Sequence, residues 1–241
     1  MKSIKGLVGA LSVALLVSGC NMSNTTKGGL IGGAGGGALG AGLGAAIGAL
    51  AGGSSGAKLG AAIGAGVGVV GGTTAGAMIG KKMDKAKAAA EAVENAQVET
   101  ITDKNGLEAV KVSFDNGILF KVGKYALQPA AQQSLQKFAS TVLNVYTDCD
   151  VAIYGFASSD GSEQTNLTLS QNRANAVKSY LTGACGVNNA QIKSAIGYGE
   201  NPEYLIFDAN GKEDVNASRR VEVYLYASEA MINAANAGTL K

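Results

Sequence analysis

A glycine stands at every fourth position from Gly28 to Gly80 without a miss, and the residues between are mainly Ala, Leu, Ile and Val. Spacing of four puts these glycines near one stripe of an α-helix. A stripe without side chains lets two helix backbones approach closely. The period slightly exceeds 3.6, so the stripe drifts and a right-handed crossing is expected. Flexible linkers are also rich in glycine, but they carry serine and keep no register. Gly52-Gly53-Ser54-Ser55-Gly56 is the natural turn. The segment 28–80 therefore reads as a glycine-zipper helical hairpin, with arms at 27–51 and 57–80. Each arm would be about 36 Å long, enough for a hydrocarbon core of about 30 Å. Lys58 is its only charged residue and lies beside the turn, while Lys27, Lys81 and Lys82 flank the base. That layout fits a hairpin dipping into a membrane. A hairpin that buries its stripe against a second copy is the alternative, so a homo-oligomer is also open.

The residues ahead of the zipper read as an address. Lys2 and Lys5 precede an apolar run from Leu7 to Val17, as in a secretory signal over residues 1–19. Val17-Ser18-Gly19-Cys20 resembles the bacterial lipoprotein box. The resemblance implies cleavage before Cys20, lipidation of its thiol and a short linker over 20–27. Each buried methylene of an acyl chain contributes roughly 0.8 kcal/mol to anchoring. Residue 21 is Asn, not the Asp of an inner-membrane retention signal, so the resemblance implies the outer membrane, with the C-terminal domain in the periplasm.

Residues 81–96 read as a charged, alanine-rich helical connector in solvent. After residue 96 the pattern becomes globular. The net charge of +2 hides a split, with twelve Lys and Arg against fifteen Asp and Glu over 97–241. Neither half is polybasic, which argues against a nucleic-acid partner. Histidine is absent, which removes Ser-His-Asp and Cys-His catalysis and imidazole metal ligands. No metal-ligand cluster and no nucleophile-base pair appears, so neither an enzyme nor a cofactor is expected.

Alternation predicts a hairpin over Gln97–Thr102 and Leu107–Phe114, turning at Asn105-Gly106. Pro129 suits a helix's first turn, and Ala130 to Tyr146 follows with Leu135, Phe138, Ala139, Val142 and Val145 apolar. Then come a strand over Asp150–Phe156, a helix over Glu163–Thr182 with Leu167, Ala174, Val177 and Leu181 inward, and strands over Gln191–Gly197 and Val221–Tyr226. Strands alternating with helices imply α/β layers. Residues 229–241 read as a tail.

Several stretches carry a resemblance: Ile118-Leu119-Phe120, Leu127-Gln128-Pro129-Ala130-Ala131, Gly155 through Gly161, Asn166, Leu169-Ser170, Arg173-Ala174, Gly199-Glu200-Asn201-Pro202 and Arg219-Arg220-Val221-Glu222. Together they resemble the OmpA-like peptidoglycan-binding family, over roughly 107–228 within a domain at 97–228. The family implies an α/β (α+β) fold with a βαβαβ-type mixed sheet and helices packed on it. It implies binding of the peptidoglycan stem peptide at diaminopimelate, whose one carbon bears a carboxylate and an ammonium. Arginine grips a carboxylate well because its fork matches both oxygens. By position Arg173 is the family's arginine and Asn166 its loop-helix asparagine. The family's Gly-His-Thr-Asp is Gly155-Phe156-Ala157-Ser158 here. Neutral Ser158 cannot pair with an ammonium, and Asp160, two residues on, is the candidate to replace it. Arg219 and Arg220 precede the last strand. One is expected to pair with a carboxylate, and Arg220 is taken as the further ligand-binding residue.

Cys149 and Cys185 remain after Cys20. An even pair in an oxidising compartment suggests a disulfide, and in an alternating α/β unit both fall at one end of the sheet. The leading function is a non-covalent tether between outer-membrane lipid and peptidoglycan. The alternative is a zipper-driven oligomeric membrane assembly or pore, positioned by a wall-binding domain with a weakened pocket.

Overall fold

The computed structural model describes residues 73–103 and 106–241. The signal, Cys20 and most of the zipper, residues 28–72, lie outside the described residues.

Helix α1 spans Thr73–Glu91. It runs through the expected boundary at residue 80, so the end of the second zipper arm and the connector are one helix. Ala75, Ile79, Met83, Ala86 and Ala90 are all buried, at the three- and four-residue spacing of an inward helical face. The connector is therefore not a solvated spacer. Its apolar face closes the domain core, and Lys82 is ion-paired to Asp148. The arm's last two turns pack against the domain through Ala75 and Ile79. Among the described residues no helix is long and apolar enough to cross a membrane.

Asn95 turns the chain with φ of 63°, and strand β1 (Ala96–Thr102) pairs antiparallel with β2 (Glu108–Asp115). A short helical turn, Asn116–Leu119, leads to a loop closed by a bridge between Phe120 and Leu127. Helix α2 (Pro129–Phe138) has proline in its first turn and continues as a π-helical turn, Ala139–Leu143. The expected helix thus ends early, and Val145, expected inward, is exposed. Strand β3 (Cys149–Gly155), helix α3 (Glu163–Gly183) and strand β4 (Ile192–Gly197) form the one parallel pairing among the described strands. Strand β5 (Arg220–Ala227) inserts between β2 and β3, antiparallel to both. The order is β1-β2-β5-β3-β4. Helix α4 (Glu229–Asn236), capped by Ser228, buries Met231, Ile232 and Ala235, so the expected tail is part of the domain. The architecture is a mixed α/β sheet with helices packed on it.

Side chains alternate across each strand. One set, including Val112, Phe114, Val151, Ile153, Val223 and Leu225, joins the helices in the main core. The other forms an aromatic layer of Tyr154, Phe156, Tyr204, Tyr224 and Tyr226, against which Tyr198 packs. Helix α3 lies unusually close to the sheet. A Cβ at Gly155 would stand 2.3 Å from the Ser170 carbonyl oxygen, and one at Gly197 would stand 2.1 Å from the Gln171 nitrogen. Only glycine admits that approach. Leu167, expected inward, projects outward beyond this contact and is partly exposed.

The cysteines correct a further expectation. Cys149 and Cys185 are both free. Cys149 is buried within the main core, where burial, and then the Asp148 carboxylate, pushes its thiol up to about 12. Cys185 is only partly buried and lies beside Tyr180. Both pack on the same core near one end of the sheet, yet no bond joins them.

Candidate functional site

The site lies where parallel β3 and β4 end and β5 begins, the edge of an α/β sheet at which loops converge. Loop 156–162 leaves β3 and enters α3, whose first turn is fixed by Ser162. Its Oγ accepts from the Thr165 amide at 3.3 Å, and Glu163 adds a negative charge at that end. The Phe156 amide donates to the Arg220 carbonyl at 3.0 Å and the Ala157 amide to the Gly199 carbonyl at 2.8 Å. These bonds tie the three strand ends into one frame.

Asn166 braces the loop. Its amide nitrogen donates to the carbonyls of Ser158 at 3.1 Å and Asp160 at 2.9 Å, and also reaches the Glu200 carboxylate. This residue shapes the loop from within, since it is almost fully buried. Gly161, with φ of 109°, lets the chain pass over the Asn166 amide.

Ser158 is buried, and its Oγ accepts from Arg219 Nε at 2.9 Å. A terminal nitrogen of the same guanidinium donates to Asp160 Oδ2 at 2.6 Å. Ser158 and Asp160 therefore meet one guanidinium, and the exposed Asp160 carboxylate stands on the rim. Sequence reasoning singled out Arg220 for this end of β5, but Arg219 is the arginine that faces the loop. Arg220 donates from Nε to Glu222 at 2.7 Å and from a terminal nitrogen to the carbonyls of Tyr204 at 3.1 Å and Ser218 at 3.3 Å. Its guanidinium carbon lies 4.2 Å from the centre of the Phe156 ring. Those contacts fix the start of β5. Neighbouring residues on a strand point to opposite faces, so one of the pair had to serve each side. Nothing in the sequence says which.

Arg173 sits behind this rim on α3 and is 2% exposed. Its Nε donates to the Lys124 carbonyl at 3.1 Å, and its guanidinium stacks over Phe120 at 5.4 Å. Among the described residues no carboxylate forms an ion pair with it. Burial, and then the Arg219 charge, lowers its pKa to about 10, so it remains protonated at neutral pH. The result is a buried cation facing a second cation. Such a group is costly unless an anion arrives.

Residues 119–220 match the OmpA family model. The chain belongs to the OmpA family. Zorya protein ZorB of Escherichia coli is 31% identical over 172 residues, which are 57% of this chain and 72% of that protein. Outer membrane protein P5 of Haemophilus influenzae is 38% identical over 91 residues, 37% of this chain and 24% of that protein. The crystal structure of the peptidoglycan-associated lipoprotein from Burkholderia pseudomallei superposes with a TM-score of 0.38 at 27% identity, covering 45% of this chain and 87% of that one. The OmpA match starts within the turn before Phe120 and ends at Arg220, so it takes in Ser158, Asp160, Asn166, Arg173 and Arg219. Helices α1 and α4 lie outside it. Among the described residues no group of His, Cys, Asp and Glu is arranged to hold a metal ion.

Proposed function

We propose that this OmpA-family domain binds the peptidoglycan stem peptide at diaminopimelate, without covalent chemistry. One observation carries the reading: the buried Arg173 guanidinium stands next to Arg219, and among the described residues no carboxylate is paired to it. A ligand carboxylate supplies the missing charge. Asp160 stands at the rim to receive the ligand ammonium, with Glu200 nearby through its bond to Asn166. In this scheme Ser158 no longer meets the ligand amine. It holds Arg219 by hydrogen bond and leaves the charge to Asp160. Asn166 positions the loop, and Arg220 supports it from below through Phe156.

The proposal extends to the whole chain. Cys20 carries the acyl anchor, the outer membrane holds that anchor, and the domain holds the wall, so the protein is a tether. The strict glycine register over 28–72 further supports a membrane-seated or self-associating segment ahead of α1.

Sedimentation with purified sacculi tests the reading. The full chain in mild detergent should pellet with the wall and be released by free diaminopimelate. A chain that stays in solution at low salt overturns it.

A further inference from the structure

A separate cleft opens at the far end of the sheet, where β3 and β4 begin and β5 ends. Its volume is about 800 Å³, within the range of pockets that hold organic ligands. Strand β3 runs from Cys149 beside this cleft to Gly155 at the candidate site, so the two lie about 20 Å apart at roughly 3.3 Å per residue.

One wall is built from three adjacent strand ends. Asp150 pairs in register with Tyr226. Asp150 and Gln191 each precede one member of the register pair Val151–Ile192. Gln191 is 5% exposed. Its Nε2 donates to the carbonyls of Leu143 at 3.2 Å and Tyr146 at 3.1 Å. Those bonds orient the amide and leave Oε1 as a buried acceptor that takes no hydrogen bond among the described residues. The cleft is also short of positive charge. Asp148, Asp150 and Glu229 line it together with one cation, Lys193. Asp148 is ion-paired to Lys82 on α1, and Asp150 to Lys193 at 3.4 Å. Burial still raises Asp150 above its ordinary carboxylate value, so that one lysine does not balance it. Burial, and then the Asp150 charge, raises the neighbouring Tyr226 hydroxyl as well.

We infer that this cleft binds an arginine side chain presented by a partner protein. The acceptors decide the class. An orphan amide oxygen and three carboxylates call for a ligand that brings N–H donors and positive charge. Among the described residues no group of His, Cys, Asp and Glu is arranged to hold a metal ion, and the space is far larger than a bare ion fills, so the cation is organic. Guanidinium suits this wall better than ammonium. Its flat fork serves Asp150 and Gln191 side by side, and its face stacks on an aromatic ring such as Tyr226. The peptide that carries the arginine fills the rest of the cleft. Because the cleft and the candidate site stand at opposite ends of β3, occupation of one leaves the other open. The inference is independent of the stem-peptide reading.

The full chain in nonionic detergent would be titrated calorimetrically with three probes: the capped tripeptide Ala-Arg-Ala, its citrulline analogue, which keeps the shape without the charge, and methylguanidinium alone. Ala-Arg-Ala should bind with a Kd below about 1 mM. The citrulline analogue should bind at least ~10-fold more weakly, the scale of one charge-assisted hydrogen bond. Asp150→Asn keeps the side chain's shape and should weaken Ala-Arg-Ala about 10-fold, while its melting temperature and its sedimentation with sacculi stay at the parent's level. Lys193→Met removes the competing cation and should tighten Ala-Arg-Ala about 3-fold, the scale of one exposed ion pair released. No binding of Ala-Arg-Ala, equal affinity for the citrulline analogue, or unchanged affinity in both variants overturns the site. Equal affinity for methylguanidinium alone overturns a peptide as its source.

Discussion

Asp160 meets Arg219 in an ion pair at 2.6 Å, joining the loop after β3 to the residue that precedes β5. The same guanidinium reaches Ser158, the position at which the family's aspartate is expected. Of the two side chains that share this cation, only Asp160 brings a negative charge, displaced two residues from the expected position.

That displacement is open to a rescue experiment. Asp160→Asn should weaken wall binding about 10-fold, the scale of one charge-assisted hydrogen bond. Stability should change by less than about 1 kcal/mol, because the pair is solvent-exposed. Ser158→Asp in the Asp160→Asn background should restore binding, since Ser158 Oγ already lies 2.9 Å from Arg219 Nε. Unchanged binding in Asp160→Asn would show that the loop carboxylate takes no part.

Helix α1 should behave as core. Ile79→Ala removes a fully buried side chain and should cost about 2–5 kcal/mol in chemical denaturation. A fragment beginning at residue 97 should be less stable than one beginning at residue 73 by at least that much. A loss below about 0.5 kcal/mol in Ile79→Ala would mean that the helix does not close the domain.

The close seat of α3 predicts opposite outcomes for glycines of one region. Gly155→Ala and Gly197→Ala force a methyl into the helix backbone and should each cost about 1–3 kcal/mol. Gly183→Ala meets nothing within 4 Å and should be neutral or gain up to about 1 kcal/mol. Thermal unfolding of the three variants checks this, and equal melting temperatures would contradict the packing.

The strands and helices between residues 97 and 227 were readable because the alternation changes period at each boundary and Pro129, Ser162 and the loop glycines mark the turns. Arg173 and Asn166 were singled out through the family resemblance alone, and their burial behind the loop after β3 was not legible in composition or period. The role of α1 was hidden. Lys81, Lys82, Asp84, Lys85 and Lys87 mask an apolar face made mostly of alanines, and a charged helix beside a glycine run looks like a spacer. Helix α4 was hidden because eight residues hold too few turns to show a period. Arg219 and Arg220 were indistinguishable because facing depends on strand register, which is set by β2 and β3. Cys149 and Cys185 stay unjoined because nearness to one sheet end does not by itself supply the narrow geometry a disulfide needs.

Free thiols and buried hydroxyls set the alkaline behaviour. Burial first, then Asp148, holds Cys149 at about 12, up from 9.0. Burial also raises Tyr154, and burial with the Glu222 charge raises Tyr224. A folded pKa above the unfolded one means that the unfolded chain loses its proton first. Stability from these groups is therefore complete below about pH 9 and is lost as pH rises toward the folded values. Denaturant midpoints should be level from pH 7 to 9 and fall by pH 11. Maleimide should label Cys185 in the native protein and Cys149 only after unfolding, with gel mobility unaffected by reductant. A midpoint that stays level to pH 11, or a mobility shift on reduction, would contradict this.

Ligand binding in this scheme turns most directly on Arg173, and one paired measurement tests it: calorimetric titration of a diaminopimelate-containing tripeptide, with thermal unfolding, on the parent and Arg173→Met. Loss of a charge that grips a ligand carboxylate should weaken binding at least ~30-fold. An unpaired buried guanidinium replaced by an apolar chain should leave the melting temperature unchanged or raise it. Binding that persists in Arg173→Met, together with a marked drop in melting temperature, would show that Arg173 holds the fold and that the wall is not its partner.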